Sequence, residues 1–197
     1  MKPAVFARGE PALVRETTGG MTVLGAKVAQ ELNGQLQKEF YSAYFYLGMQ
    51  AYFAAQDLDG FANYFRVQVQ EERDHALAFF NYLNKIGGKI VLAAIQEPPS
   101  DFSSPTDVFA RALQHEEYVT KSLYAIMDVA REARDHTTEI FLQWFITEQA
   151  EEEENMGRVL KRLKLVKEDS AGLFIIDNEL AQRVYTPAVI PGLSPQP

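Results

Sequence analysis

The stretch "QEERDHALAFFNYL", residues 70–83, decides how the chain is read. At helical spacing Phe79 and Leu83 share one face, and the same face carries His75 and Glu72 in the turns before them. A helix that buries Phe79 and Leu83 therefore buries a carboxylate and an imidazole as well. An unpaired buried carboxylate costs several kcal/mol even after relaxation, so a compensating charge has to sit nearby.

Working outward, the pattern before this stretch is helical from about Thr22 to Phe53, through Leu24, Val28, Leu32, Leu36, Phe40, Ala43 and Leu47. "DLDG" ends it, and the second helix runs from about Gly60 to Ile86, where Gly87 and Gly88 stop it. The connection "GKIVLAAIQEPPSDFSSPT" is long and holds three prolines. It leads to a helix start with Ser104 as cap, Pro105 at the first position and Asp107 at the third. This third helix reaches about Ala133. After the turn "RDHTT" a fourth spans about Thr137 to Leu165, followed by a short helical piece near 173–183. Residues 1–21 read as an irregular arm, 22–183 as the helical unit and 184–197 as a Pro-rich extended tail. Short links join the first helix to the second and the third to the fourth, and the long one lets the second and third run parallel. The expectation is an all-α four-helix bundle with one long crossover and a short C-terminal fifth helix.

Each long helix repeats the anomaly. The apolar stripes are Leu32, Leu36, Glu39, Ala43 and Tyr46; Phe61, Phe65, Gln68, Glu72, His75 or Ala76, Phe79 and Leu83; Phe109, Leu113, Glu116, Val119 or Thr120, and Leu123; and Phe141, Phe145, Glu148, Glu152 and Val159. Every stripe has an acid near its middle, and the middles of packed antiparallel helices share a level. Glu39, Glu72, Glu116 and Glu152 should converge where the stripes offer no Lys or Arg. Two divalent ions would balance four carboxylates, with His75 adding a nitrogen ligand. Oxygen-rich ligation with one imidazole suits iron or manganese better than zinc, and does not make a calcium cage. His115 and His136 are expected at the surface, and Trp144 and Tyr46 as core aromatics.

Composition narrows the alternatives. A 197-residue chain with 47% hydrophobic residues can bury a sizeable core. Its net charge of −8 argues against nucleic acid or an anionic membrane as partner. The chain has no cysteine, which excludes thiolate zinc sites, iron–sulfur clusters and Cys nucleophiles and is compatible with the cytosol. No apolar run reaches the ~18 residues that would span a membrane, and the charged N-terminus is unlike a signal peptide.

The segments "LNGQLQKEFYSAYFYLGMQAY", "QEERDHALAFFNYL", "QHEEYVTKSLY", "FLQWFITEQAEEEE" and "FIIDNEL" together resemble the prokaryotic non-haem ferritins, over about residues 22–183. The resemblance implies iron storage with ferroxidase activity. Fe(II) is oxidised by dioxygen or peroxide at a di-iron centre inside each subunit, and ferric oxyhydroxide is stored in a hollow cytoplasmic shell of twenty-four subunits. Carried over, one iron would bind Glu39, Glu72 and His75. The other would bind the bridging Glu72 with Glu116 and Glu152, Gln149 lying close by. Glu71, Glu148 and Glu151 match an adjacent third iron site, Tyr46 the tyrosine near the centre, and the short fifth helix the element at the four-fold axes. Glu132, Asp135 and Glu139 are candidates for an iron entry channel. Bacterioferritin places a haem-ligating Met where this chain has Arg73, so no haem is expected there.

Spacing alone supports a dinuclear site. A soluble di-metal carboxylate oxidase or oxygenase without mineral storage is therefore the rival reading, and a structural or cargo module a further one. The tail 184–197 carries exposed-type Pro and apolar residues that could dock on a partner, as an alternative to a free end.

Overall fold

The computed structural model describes residues 25–167 and 169–193. Five helices occupy most of this length: α1 (Ala26–Ala54), α2 (Asp59–Lys85), α3 (Pro105–Glu132), α4 (His136–Val166) and α5 (Ser170–Leu180). The expected arm 1–21, the start of the first helix at residues 22–24, and the last four residues of the tail lie outside the described residues. Among the described residues no helix is long and apolar enough to cross a membrane.

The helix ends follow from local chemistry. Ser104 accepts from the Asp107 amide with Pro105 in the first turn, as the sequence predicts for α3. Asp135 accepts from the Thr138 amide and caps α4, and Asp169 caps α5 through the Gly172 amide. Asp57 and Arg134 close the two tight turns with positive φ of 58° and 56°. Because both turns are short, α1–α2 and α3–α4 are antiparallel hairpins.

The crossover is laid along α1. Asn33 donates to the Lys89 carbonyl at 3.0 Å and accepts from the Val91 amide at 2.7 Å, and Gln37 donates to the Ala94 carbonyl at 2.6 Å. Farther along, a Cβ added to Gly48 would meet the Pro99 carbonyl at 3.2 Å, so the crossover lies against the helix backbone there. The ring of Phe102 reaches Tyr52, with centroids 5.3 Å apart. The connection thus runs the length of α1 and returns the chain to the end where α2 began, which makes α2 and α3 parallel.

The core has two halves. One gathers Met49, Phe53, Phe61, Phe65, Phe109, Met156 and Leu163, with Ile176 and Leu180 from α5. The other gathers Val28, Leu32, Leu36, Phe79, Leu83, Leu123, Ile126, Phe141 and Phe145. A polar layer separates them. On α1 the buried seam runs Leu32, Leu36, Glu39, Ser42, Tyr46, Met49 and Phe53, whereas Leu47 is 45% exposed. The Phe40–Ala43–Leu47 continuation expected from sequence therefore leaves the seam. Repeated steps of four advance about 40° per step around a 3.6-residue helix and walk the face outward.

α5 is fastened at the open end of α2. No side chain of its own N-cap residue caps α2; instead Asp177 of α5 accepts from the Phe61 amide at 2.9 Å. An added Cβ at Gly60 would fall 1.7 Å from the Asp177 carbonyl oxygen, so only glycine permits this approach. Arg162 and Glu179 complete the dock with a two-pronged pair at 2.6 and 2.7 Å. Gly60→Ala is expected to cost about 1–3 kcal/mol and to accelerate amide hydrogen exchange across α5. Unchanged exchange there would mean α5 is held elsewhere.

Candidate metal centre

The polar layer is built from the middle of each long helix. Glu39 and Gln35 come from α1; Gln68, Glu72 and His75 from α2; Glu116 from α3; and Gln149 and Glu152 from α4. All eight are buried. The four mid-stripe acids singled out in the sequence thus all face inward.

They are held in two groups. One ligand atom each from Glu39, Glu72 and His75 lies within 4.8 Å of the others, and this is the one such group of metal-binding type among the described residues. His75 Nδ1 stands 3.6 Å from Glu72 Oε2. Gln35 donates to Glu39 at 2.8 Å and itself accepts from Ser122 at 2.6 Å. Glu116 and Glu152 are oriented by other partners. The Tyr46 hydroxyl donates to Glu116 Oε1, and Gln149 donates to Glu116 Oε2 at 2.9 Å. Gln68 donates to Glu152 at 2.9 Å.

The energetics of this layer are set by burial and like charge. Desolvation, then the Glu116, Glu39 and Glu152 carboxylates, hold the Glu72 carboxyl well above its usual range. Desolvation pushes Glu116 up to about 7 against the opposing bonds from Tyr46 and Gln149. Desolvation and then Glu116 push Glu152 up to about 8. Tyr46 is raised by burial and by Glu116, so it stays a phenol that can donate. Among the described residues, no Lys or Arg pairs with any of the four acids.

The donor set fits metal ions. It combines carboxylates without a cation, one imidazole, and the Gln68 Oε1, which is buried and has no donor. An uncompensated carbonyl oxygen of this kind is costly unless a cation or water takes it. Oxygen-rich sites with a single imidazole suit iron or manganese.

Other sequence candidates have different surroundings. Glu71 is paired with Arg183 at 2.7 Å, Glu148 is half-buried and Glu151 is exposed, so this trio is not gathered as closely as Glu39, Glu72 and His75. Trp144 packs against His75 with ring centroids 5.6 Å apart. Asp135 is the α4 cap, Glu139 pairs with Arg131 and His136, and Glu132 with Lys27.

His136 is exposed as expected, whereas His115 is half-buried. It is packed among Tyr41, Phe45 and Tyr46, and desolvation lowers it to about 4. Ser42 spends its one hydrogen on the Lys38 carbonyl at 3.0 Å and so accepts from His115 Nε2 at 2.7 Å. The segment "HEEY" can be read as a solvated face in sequence, and only the aromatic wall of α1 shows His115 partly covered. The Ser122–Gln35 and Arg183–Glu71 contacts were equally invisible, since each joins residues far apart in sequence.

The raised carboxyls have a stability consequence. A carboxyl whose folded pKa lies above its unfolded value stabilises the fold below the unfolded value, and the benefit is lost as pH rises through the folded value. The metal-free protein is expected to lose several kcal/mol between about pH 5 and 8. Glu152→Gln should flatten that loss, and saturation with Zn(II) should remove it while releasing protons. Chemical denaturation at several pH values reads all three; a flat wild-type profile without metal would contradict the geometry.

A ferritin-like domain model matches residues 29–166. The bacterial non-heme ferritin of Staphylococcus aureus is 34% identical over 163 residues, spanning 83% of this chain and 98% of its own. A probable bacterial non-heme ferritin-like protein of Haemophilus influenzae is 35% identical over 158 residues, spanning 80% and 96%. Among solved structures, the open-pore ferritin of the hyperthermophilic archaeon Archaeoglobus fulgidus superposes with a TM-score of 0.81 at 40% identity, covering 82% of this chain and 99% of that one. With four inward acids on a bundle of this connectivity and a family match over most of its length, the chain belongs to the ferritin family.

Proposed function

We propose that the chain is an iron storage protein with ferroxidase activity. Fe(II) is its substrate, and the observation that carries this reading is the layer of four buried carboxylates and His75 to which, among the described residues, no Lys or Arg is paired. Glu39, Glu72 and His75 would hold one Fe(II), and Glu72 with Glu116 and Glu152 the second. Tyr46 and Gln149 fix the Glu116 carboxylate by donating to its two oxygens. Gln68 fixes Glu152. Protons on the raised carboxyls leave as the ions arrive.

Each Fe(II) gives up one electron. Dioxygen accepts the two electrons and two protons and becomes hydrogen peroxide, which can itself serve as the next oxidant. Fixed carboxylates favour the higher charge of Fe(III) and so favour the forward direction. Hydrolysis of the released Fe(III) then gives ferric oxyhydroxide. Glu71, Glu148 and Glu151 are the accessory group nearest this role.

Storage needs an enclosed space, and the family resemblance implies a shell of twenty-four copies in the cytoplasm. An exposed apolar face supports self-association. Tyr44, Leu47, Val91, Leu92 and Ile95 lie together on α1 and the crossover, and Phe174 and Ile175 of α5 form a second exposed set. Exposed apolar residues in continuous patches are interfaces more often than free surface.

Glu72→Ala should abolish rapid Fe(II) oxidation while the helical fold and assembly persist; wild-type rates would remove Glu72 from the centre. Leu47→Glu should reduce the assembled mass by ultracentrifugation without lowering helix content, and an unchanged assembly would move the interface off this face. In aerobic Fe(II) titration, soluble oxidised iron should climb far past what the core sites hold. Uptake that stops at about two ions per chain would favour the di-metal oxygenase reading instead.

A further inference from the structure

Arg183 leaves the end of α5 and turns its guanidinium back onto α2. Nη2 donates to Glu71 at 2.7 Å and Nη1 to the Tyr64 carbonyl at 3.3 Å. The guanidinium carbon lies 4.4 Å from the centre of the Tyr64 ring. Asn63 donates to the Arg183 carbonyl at 2.9 Å, which fixes the backbone beneath it. Both members of the ion pair are largely buried, with side-chain exposures of 22% and 20%.

The chain beyond is fastened along the same helix. The Tyr185 hydroxyl donates to Asp74, Ile190 is buried in the second half of the core, and Lys85 donates to the Gly192 carbonyl. Residues 183–193 thus form a strap on α2, starting at the acid that precedes Glu72.

We propose that Arg183 decides metal occupancy at the accessory acidic group: its fixed guanidinium holds the Glu71 carboxylate that a third Fe(II) would otherwise take, so oxidation runs on the two core ions while the strap is fastened. The inference rests on the assignment of Glu71, Glu148 and Glu151 to the accessory group. A guanidinium has no acceptor atom and repels a divalent ion. An ion that bound Glu71 would have to displace Nη2 and leave Arg183 largely buried without its anion. Glu148 and Glu151 offer a poorer pair on their own, because Glu151 is exposed. The Tyr64 ring, 4.4 Å from the guanidinium carbon, adds a second attraction that holds the cation over α2.

The test is an anaerobic titration of the metal-free, full-length assembly with Co(II), followed by visible absorption and calorimetry, in wild type, Arg183→Gln and Arg183→Lys. The two core ions serve as the internal control for folding. Wild type should bind about two ions per chain tightly. Arg183→Gln should bind one more, with third-ion affinity raised by roughly tenfold or more. Arg183→Lys, which keeps the charge, should remain close to wild type. A third ion bound equally well by wild type and Arg183→Gln would overturn the proposal. So would the absence of a third ion in Arg183→Gln, or full opening of the site by Arg183→Lys. Loss of the core ions from every protein would instead overturn the centre itself, a separate failure.

Discussion

Four carboxylates confined to one buried layer are the constraint on which the rest of the structure depends. Glu39, Glu72, Glu116 and Glu152 sit where a bundle of this size would otherwise place leucines, and they divide the core into two apolar halves. Without a countercharge, burial and mutual repulsion raise the Glu72, Glu116 and Glu152 carboxyls and favour their protonated forms in the metal-free layer. The aromatic-rich halves on either side supply the packing that offsets this cost. The centre is therefore a local weakness held in place by Phe53, Phe61, Phe65 and Phe109 on one side and Phe79, Phe141 and Phe145 on the other.

The same constraint explains the neighbours of the acids. Tyr46, Gln149, Gln68 and Gln35 each direct a neutral hydrogen-bond donor at a carboxylate. Neutral donors orient a carboxyl without supplying a countercharge, so the site keeps its capacity to take an incoming cation as the carboxyls give up their protons. A lysine or arginine in the same positions would stabilise the metal-free fold and close the site. That contrast appears outside the core at Glu71, where the chain does supply an arginine.

Fastening also separates the two ends of the molecule. α5 is docked through Gly60 and Asp177 at the start of α2, and the strap continues from it along the same helix. α1 and the crossover keep an apolar face uncovered. α2 is covered by α5 and the strap along much of its length, whereas Tyr44 and Leu47 of α1 stay exposed beside the crossover.

The sequence by itself determined the helices, the single crossover and the mid-stripe acids. These are local properties, since a 3.6-residue period and short caps such as Ser104 can be read within a few turns. It also located His75 and Glu72 on one face, because three residues along a helix are neighbours whatever the fold. Tertiary structure alone decided which carboxyls lie together and which are held apart. Glu39 meets Glu72 and His75, whereas Glu116 is drawn to Tyr46 and Gln149. It alone packed His115 against Tyr41 and Phe45 and brought Arg183 onto Glu71 across more than half the chain. Those pairings join residues far apart in sequence, and no local periodicity encodes them; they exist only once two helices have packed at a fixed level.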